Sequence, residues 1–466
     1  MGSVSKISFL FACGSYLFHI LFFWLYETTD SWFYWALANF LKTGTYYAPT
    51  PYFYTVPSTM EPPLYSAFLY LIQIFPRADI FIHTFQILSL FGTAFFMYNI
   101  LSRIISESLS LFFVSLFLIW PANIIYATNL LSENFALFGV SLFGYLAFLI
   151  LEKKKRSYIP FFIVLSSVLV LLRYNFGTLF ICSLLLGFFE VIKQGEKTIQ
   201  KAKILIAIVL SLGILLSWSI LNYQLNGSIG LSSGLGKSLY DRVIAQNRLV
   251  PPGDNPKLTL LRALTDDQVN LFIAWWPPEA YIMSTKKDPL YSTETSVNNV
   301  FRDVALEGLK ANIGPYSIGI PTYYFQAYLN SPPFPPPRYL ATNVLLQKER
   351  CRNLGTIELC KPLIQSEFAK KIWDLIVVTS VKYYYMFNQP VFFLIILPSL
   401  VISFFSRNSF FRFMALSYFL STFIPTLVNH PDPRYVYPFL SLEMLLIVYA
   451  GITVYGKIIK RRKVTA

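Results

Sequence analysis

Apolar segments long enough to form membrane-spanning helices recur along the whole chain. Each ends in Lys or Arg or in a polar, proline-rich stretch, and a helix needs about 20 residues to cross roughly 30 Å of hydrocarbon. The candidate spans are 7–26, 80–101, 109–127, 134–151, 157–173, 176–192, 204–222, 391–406, 413–428 and 437–456. The pattern predicts an all-α membrane protein with about ten transmembrane helices.

Composition agrees with a chain that lies mostly in lipid. Only 13% of the 466 residues are charged, whereas a soluble globular protein has roughly 25%. Much of the surface must therefore contact something other than water. The first apolar segment, 7–26, lacks a small-residue cleavage site, so we expect it to remain as a helix that also targets the chain.

Charge sets the predicted orientation. The net charge is +14, but the basic residues lie in short strings between apolar segments, which indicates topology and excludes a continuous nucleic-acid surface. With the N-terminus inside, seventeen Lys and Arg fall on the inner side and four on the short outer segments. We expect cytoplasmic termini and an outward active face, in a bacterial or archaeal cytoplasmic membrane.

One apolar segment, 62–75, is shorter than the others. Fourteen residues are few for a span, and counting it as one would place the basic string 153–156 outside. We therefore predict an interfacial or re-entrant helix there. The first outer loop then runs over 27–79, and the second occupies 127–134.

The chain divides into three predicted regions. Residues 1–222 form an N-terminal module of seven spans with the two outer loops, and 223–371 form a large outer-face loop domain. Residues 372–466 hold an interfacial helix, 372–387, followed by the C-terminal spans; this helix could instead be an additional span. Within the outer domain, 295–311 has helical spacing of apolar positions. Cys351 and Cys360 lie in the same outer loop. Either they form a disulfide or both remain free thiols.

Two acidic residues mark the first two outer loops. Asp30 follows the first span, and Glu133 follows Ser132 where another span re-enters the bilayer. Either side chain could simply cap a helix. Because both outer loops carry one, the two carboxylates could instead share base and orienting duties, or together hold a divalent cation.

Basic residues at the outer boundary are scarce. Arg173 ends one span, where it could snorkel to lipid headgroups. Arg434 lies just before the last span, in a proline-bounded loop with His430, Asp432 and Tyr435. A guanidinium is suited to gripping a phosphate in two places.

The order of short motifs resembles the GT-C superfamily of integral-membrane glycosyltransferases, close to its protein O-mannosyltransferase and aminoarabinose-transferase branch. The motifs are Asp30, a G-x-Y-Y turn at 44–47, P-P-L-Y at 62–65, P-x₄-Y-x₅-S-E at 121–133, Arg173, and R-Y-x-x-P at 434–438. The likeness covers the first seven spans and the last outer loop, whereas 223–371 matches only as a large outer loop.

The resemblance implies transfer of a monosaccharide, with inversion, from a polyprenyl-phosphate donor to a hydroxyl acceptor on the outer face. By position, Asp30 would be the general base, Glu133 a second acidic residue of the cavity, and Arg434 and Arg173 the donor-phosphate ligands. Glu61 stands where aminoarabinose relatives carry Lys. The acceptor is a lipid, a glycan or a protein, and no Gly-rich nucleotide loop is present.

Two other classes remain open. A transporter or lipid flippase also has many spans and intramembrane charges, although this chain places its charges at the outer boundary and shows no inverted repeat. An O-antigen ligase type of enzyme acts on lipid diphosphates with basic residues of a large outer loop, which here are Arg338, Lys348, Arg350 and Arg352.

Overall fold

The computed structural model describes residues 3–22, 29–44, 59, 61–192, 198–253, 294–329, 366–368, 371–372, 375, 392–428 and 436–464. These residues form helices and turns, with no β-strand among them. The possible Cys351–Cys360 disulfide, the proline-rich 332–337 stretch and most of the predicted helix at 372–387 lie outside the described residues.

Sixteen α-helices are described. In chain order they are α1 (Ser3–Phe22), α2 (Thr29–Thr43), α3 (Pro63–Ile72), α4 (Ala78–Leu101), α5 (Glu107–Leu118), α6 (Pro121–Thr128), α7 (Glu133–Leu151), α8 (Ile159–Leu172), α9 (Gly177–Ile192), α10 (Thr198–Asn226), α11 (Leu235–Tyr240), α12 (Glu294–Ala311), α13 (Ile313–Leu329), α14 (Leu397–Phe404), α15 (Ser409–Val428) and α16 (Leu440–Val464).

The described helices confirm an all-α protein of membrane type. Six of them, α4, α7, α9, α10, α15 and α16, are long and apolar enough to span a bilayer, and α5 with α6 would make a seventh. Shorter apolar helices occupy the predicted spans at 7–26, 157–173 and 391–406. The count of ten therefore stays a prediction.

The predicted span at 109–127 is broken where the sequence suggested one continuous helix. Helix α5 ends at Leu118 and α6 begins at Pro121, with a bend of 50° between them. Proline cannot donate a backbone hydrogen bond to the carbonyl four residues earlier. The side chain of Asn123 donates to that Phe117 carbonyl at 2.5 Å instead, which stabilises the bend.

Small residues and hydroxyl pairs join the helices of the bundle. A Cβ on Gly139 would lie 2.3 Å from a Leu169 methyl carbon, so α7 and α8 approach closely only because this position has no side chain. Ser141 and Ser441 are 2.7 Å apart across α7 and α16. Small contact residues and interhelical hydroxyl bonds are typical of helix association in lipid.

The described residues of 235–253 and 294–329 form a hydrophobic cluster of their own. Side chains of α11, the π-helix Asp241–Gln246 that continues it, α12 and α13 pack together, with Val243, Phe301 and Val304 nearly inaccessible to solvent. The helix predicted over 295–311 is confirmed as α12. A larger outer domain over 223–371 remains a prediction.

The predicted helix at 62–75 is α3. It begins at Pro63, whose missing N–H is harmless at the first helical position, and it ends after ten residues at Ile72. Ten residues rise about 15 Å, too little to cross a bilayer. Its position at the membrane interface is still a prediction.

Candidate functional site

Glu133 and Arg173 form a buried ion pair at one end of the bundle. Glu133 is the first residue of α7, and Arg173 follows the last residue of α8. Arg173 Nη1 lies 3.0 Å from Glu133 Oε1, and the two side chains are 9% and 1% exposed. The predicted outer acid and the predicted outer Arg of these two helices are therefore partners.

Helix α2, which carries Asp30, docks beside this pair. Ser31 donates a 2.7 Å hydrogen bond to the Leu130 carbonyl, and the hydroxyls of Tyr34 and Ser132 lie 3.1 Å apart. Asp30 is in the first turn of α2, one residue before Ser31. The side chain of Asp30 lies outside the described part of the chain, but its helix turn and the turn that leads to Glu133 are neighbours.

Glu61 belongs to the same end of the bundle. The phenol of Tyr174, the residue after Arg173, donates to the backbone carbonyls of Thr59 and Glu61 at 3.2 and 3.3 Å. The Thr59 hydroxyl in turn donates to Asn222 at 2.5 Å, near the end of α10. These bonds hold the segment before α3 against the residues that follow Arg173.

The electrostatics of Tyr34 show how close these groups are. Its pKa is raised well above the usual value, mainly by burial, then by the negative charge of Glu61, with a further contribution from Glu133 and an opposing one from Arg173. One phenol thus experiences two carboxylates and a guanidinium. At neutral pH Tyr34 is a protonated hydroxyl that can donate a hydrogen bond.

Buried amides and phenols lie near the pair, and no motif in the sequence assigned them a role. Gln86 on α4 donates to the Asn129 carbonyl at 2.7 Å, and the Tyr437 hydroxyl donates to Asn134 at 2.6 Å. Tyr65 lies 3.3 Å from the Gln86 nitrogen. The sequence does place polar residues near those ends of the apolar segments that are predicted to face outward. That pattern alone does not single out any one of these residues.

The predicted phosphate-binding loop lies outside the described residues, and so do its members His430, Asp432, Arg434 and Tyr435. Its downstream flank is described. Tyr437 bonds Asn134, the residue after Glu133, and also Asn123 at 2.9 Å. The chain that leaves this loop is therefore attached next to the buried ion pair.

The predicted metal site is not decided by the described residues. They include no group of three His, Cys, Asp or Glu side chains that could hold a metal ion. The Asp30 side chain is not among them, so sharing of an ion by Asp30 and Glu133 stays a prediction. Arg173 already supplies a positive charge next to Glu133, which lowers the need for one there.

The arrangement as a whole is a desolvated polar cluster between loops, with acid, guanidinium, phenol and amide groups. An ion pair alone would also serve to tether α7 to α8. What distinguishes this one is the convergence of α2, the segment before α3 and the turn before α7 upon it. No family model, curated protein or solved structure matches the chain.

Proposed function

We propose that this protein is a membrane glycosyltransferase that moves a monosaccharide from a polyprenyl-phosphate donor to an acceptor hydroxyl on the outer face. The observation that carries the proposal is the hydrogen-bonded contact of the Asp30 helix with the turn before Glu133, beside Arg173. Acidic and basic groups from separate loops are brought to one end of the bundle, as a single-displacement transfer requires.

The proposed reaction needs few parts. Asp30 removes the proton of the acceptor hydroxyl, whose oxygen forms a bond to the anomeric carbon. The bond from that carbon to the phosphate oxygen breaks, and polyprenyl phosphate leaves with the electron pair. Arg434 and Arg173 balance the charge that develops on the phosphate, and Glu133 orients Arg173 through the ion pair. One displacement inverts the anomeric centre.

An assay on purified protein in detergent tests this proposal. We expect transfer from a polyprenyl-phosphate monosaccharide to a hydroxyl acceptor, and we expect Asp30→Asn to abolish it while donor binding persists. Asp79→Asn is the matched control, because Asp79 pairs with Arg77 at 2.8 Å and lies outside the proposed machinery. Full activity of Asp30→Asn would remove the assignment of the base, and the same assay with EDTA reports on a divalent ion.

A transporter is the second candidate, and one observation favours it. Glu443 is buried within the spanning helix α16, where it accepts a hydrogen bond from the Tyr418 hydroxyl of α15. Ionisable groups inside spans are typical of transport pathways. If the protein transports a lipid or sugar, Glu443→Gln should block movement across a sealed bilayer. If it is a transferase, that variant should keep its turnover in detergent.

A further inference from the structure

The turn between α6 and α7 buries an amide group that bonds to no described residue. Asn129 is 0% exposed, and neither its side-chain nitrogen nor its side-chain oxygen has a hydrogen-bond partner among the described residues. Buried polar groups in folded proteins are nearly always bonded. An apolar residue of similar shape at this position would make the folded protein more stable. Binding of a ligand would explain why an amide is there instead.

A second unpartnered atom lies next to it. Gln86, also 0% exposed, is fixed by two bonds from its Nε2, to the Asn129 carbonyl at 2.7 Å and to the Tyr65 hydroxyl at 3.3 Å. Its Oε1 has no partner within the described part of the chain. Because the Gln86 amide is held in place, this acceptor has a fixed position beside the Asn129 turn.

Aromatic rings border these amides. The Tyr65 ring packs edge-on against Tyr34 with centroids 5.0 Å apart, and against Phe135 at 5.6 Å. The pKa of the Tyr65 phenol is raised first by burial and further by the negative charge of Glu133. Glu133 is therefore close enough to influence this phenol. The unpartnered amides therefore lie within electrostatic reach of the proposed reaction site.

Among the described residues of this end, Asn134 and Asn175 each have a side-chain nitrogen without a partner, whereas Asn129 has no partner at either side-chain atom. Asn222 is equally buried, yet its oxygen accepts from Thr59 at 2.5 Å and its nitrogen donates to the Gly230 carbonyl at 2.8 Å. Asn226 donates to Thr59 at 3.0 Å. The contrast makes Asn222 a matched reference for Asn129.

We propose that Gln86 and Asn129 form a subsite that hydrogen-bonds hydroxyl groups of the transferred monosaccharide, with the Tyr65 ring beside it. This inference rests on the proposed function and names the residues that would recognise the sugar. An amide presents a donor and an acceptor side by side, as a pair of neighbouring hydroxyls does. A phosphate would require cations, and a lipid tail would need no polar partner.

Access to the subsite requires movement. The side chains of Gln86, Asn129 and Tyr65 are almost completely inaccessible to solvent in this structure. Sugar binding must therefore separate α4 from the turn before α7, or lift α2 from that turn. Helix α6 directly precedes the Asn129 turn, and the chain is already bent between α5 and α6. Helices bend most readily at such breaks.

Thermal unfolding in detergent tests the unpartnered amide. Leucine resembles asparagine in shape and buries no polar atom, so Asn129→Leu should melt at the wild-type temperature or up to about 2–4 °C above it. Asn222→Leu, which breaks hydrogen bonds to Thr59, Asn226 and Gly230, should melt several degrees lower. An Asn129→Leu variant that melts as low as Asn222→Leu, or fails to fold, overturns the inference.

Substrate selectivity tests the assignment to hydroxyl groups. The probes are a polyprenyl-phosphate hexose that the wild type uses and its monodeoxy analogues. At least one analogue should have a kcat/KM about tenfold lower than the parent with the wild type, and nearly equal to it with Asn129→Leu. If both proteins discriminate equally between the parent sugar and its deoxy analogues, Asn129 binds no hydroxyl of the sugar.

Failure of the proposed function can be told apart from failure of this subsite. If the wild type transfers no sugar, the transferase proposal fails. Free hexoses at millimolar concentration then probe the subsite directly: they should raise the melting temperature of the wild type and not of Asn129→Leu. Identical shifts in both proteins, or none in either, overturn the subsite.

Discussion

The ion pair of Glu133 and Arg173 concentrates two opposite charges in a site shielded from water. Taking one such charge out of water is unfavourable by several kcal/mol, and only a close partner compensates for it. The 3.0 Å contact supplies that compensation. At the residue scale, each charge of the pair therefore depends on the other, and both belong to the proposed site.

Removing one charge of this pair should affect stability and activity together. Glu133→Gln leaves the Arg173 guanidinium buried without its counter-charge, so we expect a loss of about 3–5 kcal/mol in unfolding free energy and a large loss of transfer. Denaturation in detergent measures the first effect and the transfer assay the second.

Two further variants separate the effects of charge and chemistry. Glu190→Gln breaks the Arg156–Glu190 pair, which is 34% and 17% exposed, and should therefore change stability by about 1 kcal/mol or less. The double variant Glu133→Gln, Arg173→Gln should regain part of the lost stability without regaining transfer. A single Glu133→Gln variant as stable as the wild type would contradict the buried pair.

Helix α13 stabilises the end of α15 that precedes the His430–Tyr435 segment. The Tyr316 hydroxyl donates to the Leu427 carbonyl, one of the last carbonyls of α15, which have no partner inside the helix. Tyr324 reaches Thr422 of the same helix at 3.2 Å. Arg242, which is 1% exposed and lies 3.6 Å from the Tyr323 ring centroid, also hydrogen-bonds Tyr316.

Loss of this contact should loosen the last turn of α15. We expect Tyr316→Phe, which removes only the hydroxyl, to raise amide hydrogen exchange over 424–428 about five-fold, the effect of one hydrogen bond of roughly 1 kcal/mol. Tyr323→Phe is the control, because it keeps the ring next to Arg242. Unchanged exchange in Tyr316→Phe would mean that other contacts hold this turn.

At the scale of the whole molecule, the buried Glu133–Arg173 pair and the polar contacts around it lie at one end of the helix bundle. Glu133, Arg173, Asn222 and Tyr437 all belong to the ends of helices that meet there. The basic string Lys153–Arg156 lies between α7 and α8 at their opposite ends. The two ends of the bundle therefore differ, and the assignment of the basic end to the cytoplasmic side stays a prediction.

Chemical labelling measures which face is outside. In a variant without Cys13, Cys182, Cys351 and Cys360, single cysteines would replace Lys154 and Ile229, both exposed and at opposite ends of the bundle. An impermeant maleimide on intact cells should label Ile229→Cys, and Lys154→Cys only after permeabilisation. The reverse pattern would invert the topology and exclude transfer on the outer face.

The sequence by itself determined the class of protein, because the solvent selects for apolar segments of bilayer length and for basic residues between them. It also predicted α12 from periodicity and α3 as too short to span. The apolar pattern continues across Pro121 and therefore predicted one continuous span, although a proline inside a helical pattern is itself a signal for a break. The bond from Asn123 to the Phe117 carbonyl became evident only from the structure.

The tertiary structure decided which polar residues act together. Motif order named Glu133 and Arg173 separately, whereas packing of α7 against α8 made them a pair. Gln86, Asn129 and Tyr65 carry no motif, and their roles depend on burial and on partners made or missing. Spans are local properties of a chain, but the strength of a charge or an amide depends on what surrounds it. That environment exists only once the helices have packed.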